Sequence, residues 1–277
     1  MSRVIARAKV RHWNGTGFVS RPDSVAGEEP LEIRVAGAPF TVTMRTPGHD
    51  IELAHGLLHA EGIVAGRADV TVMRYCDGVD EQGRNTYNVL DVALSPTAAD
   101  PAAVAAAARS LTTTSACGVC GSASIDALAK RQRYPLPVDG PVFDPAVLAR
   151  LPELLRPRQQ GFRTTGGLHA AALATTDGRL EFVREDVGRH NAVDKVIGAA
   201  MLEGRLPLGD RALLTSSRAS FELVQKAVLA GIPVLVAVSA PSSLAVELAE
   251  STGLTLVGFT RHDGFNLYTG HHRVRGA

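Results

Sequence analysis

The chain has 277 residues, is 45% hydrophobic and 21% charged, and carries a formal net charge of +1 at pH 7. This suits one large or two smaller packed domains that need no disulfide or metal to hold a core. The near-neutral balance argues against nucleic acid or an anionic membrane surface as the partner. No apolar run approaches the ~18 residues of a membrane span. Met1-Ser2-Arg3-Val4-Ile5-Ala6-Arg7 lacks the apolar stretch of a secretory signal, so a cytoplasmic protein is expected.

The first twenty or so residues show no clear periodicity and are expected to be irregular. Alternation then predicts strands over 31–35 and 40–44, joined by an Ala36-Gly37-Ala38-Pro39 turn. A helix is expected over 50–60, with Ile51, Ala54, Leu57 and Leu58 on its apolar side. Glu52, His55 and His59 share a face of it, which reads as a solvated polar face in preference to a metal cluster. Strands follow over 70–75 and 86–94, separated by a polar stretch. Asp100-Pro101 opens an alanine-rich helix with proline in its first turn. Residues 111–116 favour strand or loop, and a helix is expected over 122–131. Prolines and glycines at 135–141 mark a linker. Asp144-Pro145 starts another helix, in which Pro152 predicts a kink or break.

Beyond residue 168 the pattern is more regular. Strands over 169–175 and 180–184 flank Asp177-Gly178, a hairpin signal. A helix over 189–201 follows, then strand 212–215, helix 220–230, strand 233–238, helix 242–250 and strand 255–259. Continuous apolar strands alternating with helices predict parallel strands covered on both faces. The fold class expected is α/β, with an α+β domain over 1–110 and an α/β domain over 111–277.

Ligands collect beyond the carboxyl ends of parallel strands. Those ends read Ser216-Ser217-Arg218, Ser239-Ala240-Pro241-Ser242-Ser243 and Thr260-Arg261-His262-Asp263-Gly264. Hydroxyls, cations and helix starts suit a phosphate-bearing ligand, although Ser217 and Ser242 could serve only as helix caps. The polar run Asp186 to Asn191 lines such a site or caps the next helix through His190 or Asn191.

Two of the three cysteines lie in Cys117-Gly118-Val119-Cys120, flanked by glycines and ahead of an expected helix start. That context favours a reactive thiolate. Structural zinc needs about four ligands and there is no second such pair, so no metal is expected. A zinc deaminase would show H-x-E and P-C-x-x-C; His169-Ala170-Ala171 lacks the glutamate and Ala116 stands in place of the proline. Two other readings stay open: a thiol–disulfide oxidoreductase, and a non-catalytic nucleotide-binding chaperone.

Several segments together resemble one family: Cys117-Gly118-Val119-Cys120-Gly121, Thr165 to Ala171, Glu185 to Asn191, Ser216 to Ser220, Val238-Ser239-Ala240 and Leu256 to Phe259. In order, and over a span from about Pro30 to Tyr268, the chain resembles the FdhD family of formate dehydrogenase accessory sulfurtransferases. The resemblance implies a cytidine-deaminase-like α/β domain with a smaller N-terminal part, as a homodimer. It implies sulfur taken from a cysteine desulfurase and passed to the molybdenum bis-guanine-dinucleotide cofactor, carried as cargo, before that cofactor enters formate dehydrogenase. The family's persulfide cysteine falls on Cys117, with Cys120 beside it, and its cofactor-binding stretch on Phe259, Thr260, Arg261, His262, Asp263 and Gly264.

Overall fold

The computed structural model describes residues 4–76, 78, 86–96, 98, 100–114 and 132–277. The chain starts with an antiparallel ribbon, β1 (Ile5–Trp13) and β2 (Phe18–Ala26), paired from Ile5 opposite Ala26 to Trp13 opposite Phe18. The irregular start expected from sequence is therefore corrected. Most ribbon side chains are exposed, so no buried face imposes an apolar alternation.

A four-stranded sheet follows, in the order β4-β3-β6-β5, from β3 (Glu29–Val35), β4 (Ala38–Arg45), β5 (Val70–Tyr75) and β6 (Val89–Leu94). Ala36 and Gly37 both have positive φ, 52° and 80°, which gives the tight turn between β3 and β4. Leu31, Ile33, Leu90 and Val92 are buried against Leu53, Leu57 and Leu58 of α1 (Asp50–Ala60). Val104, Ala107 and Ala108 of α2 (Pro101–Thr114) pack on the same core. This helix runs through 111–114, where strand or loop is expected: helix propagates from the alanine-rich turns at small cost per threonine. The helix expected over 122–131 lies outside the described residues.

The larger sheet has the order β12-β11-β10-β9-β7-β8. Its strands are β7 (His169–Ala174), β8 (Leu180–Asp186), β9 (Ala212–Thr215), β10 (Val234–Ala237), β11 (Thr255–Arg261) and β12 (Gly264–Thr269). As expected, β9, β10 and β11 are parallel. The sheet is nonetheless mixed, because β7 runs antiparallel to β9 and β12 antiparallel to β11. One face is covered by α3 (Pro145–Leu155), through Leu148, Leu151 and Leu155. A short helix, α4 (Gln160–Thr165), follows it. The other face is covered by α5 (Arg189–Leu202), α6 (Phe221–Leu229) and α7 (Ser243–Thr252). Pro152 does not break α3: it falls in the last turn, where it costs one backbone bond and leaves the buried leucine stripe in place. No helix among the described residues is long and apolar enough to cross a membrane.

The two sheets are joined through α1 and α5. A Cβ on Gly56 would collide with the Asp194 backbone, and one on Gly198 with the carbonyl oxygen of Glu52. Each glycine thus admits the other helix to backbone contact. Gly198→Ala is expected to destabilise the fold by about 1–3 kcal/mol, despite alanine's better helix propensity, because backbone must move. The midpoint of urea unfolding measures it.

This crossing also corrects the reading of His55 and His59 as solvated. They are 3% and 4% exposed, since α1 is covered on both sides. His55 Nδ1 lies 2.8 Å from the Ile51 carbonyl, and the two ring nitrogens of His59 lie 3.1 and 3.2 Å from the carbonyls of Val64 and Leu229. Burial pushes both imidazoles below their ordinary pKa. Burial would raise the Glu52 carboxyl, but Arg184, at 2.5 and 2.7 Å, and His49 hold it at about 2.

Candidate functional site at the sheet edge

Because β7 runs against β9, its first residue lies at the edge where β9 ends. Ser216 N–H donates to the Ala170 carbonyl at 2.9 Å, and Ala170 N–H donates to Ser216 Oγ at 2.9 Å. His169 pairs with Asp186, so β8 ends at the same edge. The segments Thr165 to Ala171, Glu185 to Asn191, Ser216 to Ser220 and Val238 to Ala240 are therefore gathered at one edge.

A cavity of about 370 Å³ opens there, within the usual range for ligand pockets. Its walls include Arg156, Phe162, the Gly166-Gly167 loop, His169, Ser216 and Val238. The Arg156 guanidinium lies 4.6 Å from the centroid of Phe162. Glu185 shapes this wall by accepting from Gly161 N–H and Phe162 N–H, both at 2.8 Å, at the start of α4. Sequence reasoning missed Arg156, Gln159 and Phe162. The Gly166-Gly167 stop signal was the available clue to a short helix before it.

Arg156, Arg189 and His190 bring basic side chains to this edge, beside the carboxylates of Glu185 and Glu222. Burial, then the nearby Arg189 and His190, push the His169 imidazole down, which leaves it neutral near pH 7. His190 Nε2 lies 3.3 Å from Ser220 Oγ and 3.7 Å from Glu222. The bond to His190 holds the Glu222 carboxyl at about 2. Two buried polar atoms here have no partner among the described residues, Arg189 Nε and Thr260 Oγ1. Buried polar groups are rarely left so, and both suit a polar ligand at this edge.

Neither His190 nor Asn191 caps α5, whose N-cap is Gly188. Asn191 instead donates to the Met44 carbonyl at 2.8 Å and to Asp186 at 3.1 Å. Asp186 is fully buried, accepts from Thr46 N–H at 3.1 Å and pairs with Lys195 at 2.7 Å. Ser242 caps α7 through Ala245 N–H at 3.3 Å. Ser217 is buried against Thr215, 2.9 Å between hydroxyl oxygens, and caps no helix.

Phe259, Thr260 and Arg261 complete β11, His262 and Asp263 form the turn, and Gly264 opens β12. Phe259 has φ of 52° and is 40% exposed, an unusual backbone state for a bulky residue. Arg261, His262 and Asp263 are exposed, and His262 lies 3.1 Å from Glu153, the neighbour of cavity-lining Pro152. Phe259 to Gly264 do not line the cavity; their link to its wall runs through His262 and Glu153. Cys117 and Cys120 lie outside the described residues. Among the described residues, no group of three or more His, Cys, Asp or Glu side chains is placed to hold a metal ion.

The family model described as FdhD/NarQ matches residues 26–275. The chain is 55% identical, over 99% of its length and 96% of the relative's, to a sulfur carrier protein FdhD of Nocardia farcinica. It is 54% identical to one of Streptomyces coelicolor, over 99% of this chain and 97% of that protein. A solved structure described as a formate dehydrogenase accessory protein from Desulfotalea psychrophila matches with a TM-score of 0.75 at 22% identity, over 98% of this chain and 100% of that one. That likeness shows the mixed α/β fold.

Proposed function

The chain belongs to the FdhD/NarQ family, and from that premise we propose that it is a cytoplasmic sulfur carrier serving formate dehydrogenase. It takes sulfur from a cysteine desulfurase as a persulfide on Cys117 and delivers it to the molybdenum bis-guanine-dinucleotide cofactor. The observation that carries this reading is full-length identity above one half with proteins named sulfur carrier protein FdhD. Basic side chains, hydroxyls and two buried polar atoms without a partner among the described residues, Arg189 Nε and Thr260 Oγ1, support it, since a phosphate-rich cargo needs donors. The larger sheet reads as deaminase-like without deaminase chemistry, and the working unit as a homodimer.

The Cys117 thiolate attacks the terminal sulfur of the donor persulfide. The donor's S–S bond breaks, its cysteine leaves as a thiolate, and Cys117 becomes the persulfide. Attack by the Cys120 thiolate on Cys117 Sγ then forms a disulfide and releases the terminal sulfur as hydrosulfide for the metal. The dithiol supplies both electrons. Mass spectrometry after incubation with desulfurase and cysteine tests this. One added sulfur mapped to Cys117 is expected, and it persists in Cys120→Ser, which cannot resolve it; no adduct in that variant favours a thiol–disulfide oxidoreductase.

GDP, standing in for half of the cargo, is expected to bind at the edge. Arg261→Ala removes a charge-assisted phosphate contact which, once the bound nucleotide desolvates it, is worth about 1.5–3 kcal/mol, a loss of roughly ten- to a hundred-fold in affinity. Asp263→Ala leaves binding unchanged or tightens it, since it removes a carboxylate near phosphate. Calorimetric titration decides: equal binding by Arg261→Ala removes phosphate from that residue, and weaker binding by Asp263→Ala makes Asp263 a contact to guanine or ribose.

A further inference from the structure

The β1–β2 ribbon supplies no residue to the buried cores of the two sheets, as far as the described residues go. A two-stranded ribbon alone is marginal in water. On one face Ala6, Ala8 and Val10 are half-buried, while Val25, Asp23 and Arg21 opposite them are exposed. Its root adjoins the candidate site, for a Cβ on Gly167 would lie 3.3 Å from that of Ala26.

On the other face Ile5, Ser24 and Ala26 at the root are half-buried, and the charged side chains beyond them are exposed and of one sign. Arg7, Lys9 and Arg11 follow one another at every second residue, about 7 Å apart, and the row ends at Trp13. Their cross-strand neighbours are Ser24, Pro22, Ser20 and Phe18. Asp23, the ribbon's acidic residue, pairs with Ala8 and so belongs to the other face. Trp13 and Phe18 are 53% and 60% exposed with ring centroids 5.2 Å apart, and the Arg11 guanidinium lies 5.5 Å from the Phe18 ring.

From this we infer that the ribbon is a docking arm for an acidic protein surface with an apolar recess, on the enzyme that receives the cargo. The cations steer and orient the encounter, and the rings anchor it. A second copy of this face is a poor occupant, because like charges would stand opposite one another. A nucleic acid is a poor one too: three phosphate contacts release few counterions, and the chain as a whole is almost neutral. The assignment to the recipient rests on the carrier reading, in which cargo sits in the cavity that shares the Gly166-Gly167 loop with the arm's root.

The test uses the full chain and purified formate dehydrogenase apoprotein, with affinity measured by biolayer interferometry at rising salt. Arg7→Glu/Lys9→Glu/Arg11→Glu is expected to weaken binding about tenfold or more and to flatten its salt dependence. Trp13→Ser/Phe18→Ser is expected to weaken it about tenfold while keeping the salt dependence. If the charge variant melts early, the aromatic variant and the salt dependence of the wild type decide. Wild-type affinity in both variants overturns the arm, as does absence of wild-type binding. Loss of desulfurase binding alone, loss of binding to a single-stranded oligonucleotide, or a change of mass in light scattering reassigns the face to donor, nucleic acid or self and likewise overturns it. Sulfur loading on Cys117 is followed in parallel. Its absence in the wild type sinks the carrier reading, whereas loading with undisturbed docking sinks the arm alone.

Discussion

Cys117→Ser is expected to leave the protein folded and to abolish both sulfur loading and activation of formate dehydrogenase. The thiolate is the attacking group, and a serine hydroxyl neither ionises near neutral pH nor forms a persulfide. Cys120→Ser is expected to be equal or milder: one thiol suffices to accept one sulfur, and an external thiol can replace the resolving one. Cys76→Ser should be nearly silent, since Cys76 is a free, half-buried residue at the end of β5 whose backbone N–H donates to the Val89 carbonyl. Formate-dependent dye reduction by enzyme matured with each variant gives the comparison. Full activation by Cys117→Ser would remove the persulfide from that residue.

Lys195→Met should give the largest loss of stability among single side-chain changes at the junction of the two sheets. Lys195 is 1% exposed, pairs with Asp186 at 2.7 Å and donates to the Thr46 carbonyl at 2.9 Å. Without it Asp186 is a buried carboxylate lacking its counter-charge, at a cost of roughly 3–5 kcal/mol. Lys195→Met/Asp186→Asn should recover part of that loss, because the buried charge is gone. Thermal unfolding of the two variants beside the wild type makes the test. A single variant as stable as the wild type would mean that Asp186 keeps its other donors, Thr46, Gly188 and Asn191, at no net cost.

The parallel strands and their helices are legible in the sequence because each strand is a continuous apolar run and each helix carries a 3.6-residue stripe. Their carboxyl ends are legible for the same reason, so the edge can be placed before its contents are known. The reversed directions of β7 and β12 are not, since pairing direction leaves no mark on composition. Periodicity puts His55 and His59 on one helical face but cannot say that another helix covers it. Asp186 looks like a site residue because the chain shows a polar cluster there and hides its partner at Thr46, 140 residues away. The six residues of α4 are too few to show a period, which conceals part of the cavity wall.

The glycine crossing of α1 over α5 has a mechanical meaning. Helices held apart by side chains can slide as those side chains change rotamer, but helices meeting backbone to backbone have no such slack. The smaller sheet is thereby bolted to the larger one, and α5, which begins with Arg189 and His190, is the shaft. Slow amide protons of Leu31, Ile33 and Leu90 should then exchange in step with those of Leu213, Leu235 and Leu256, as one cooperative unit. A partner gripping either half of such a body holds the geometry of the sheet edge fixed.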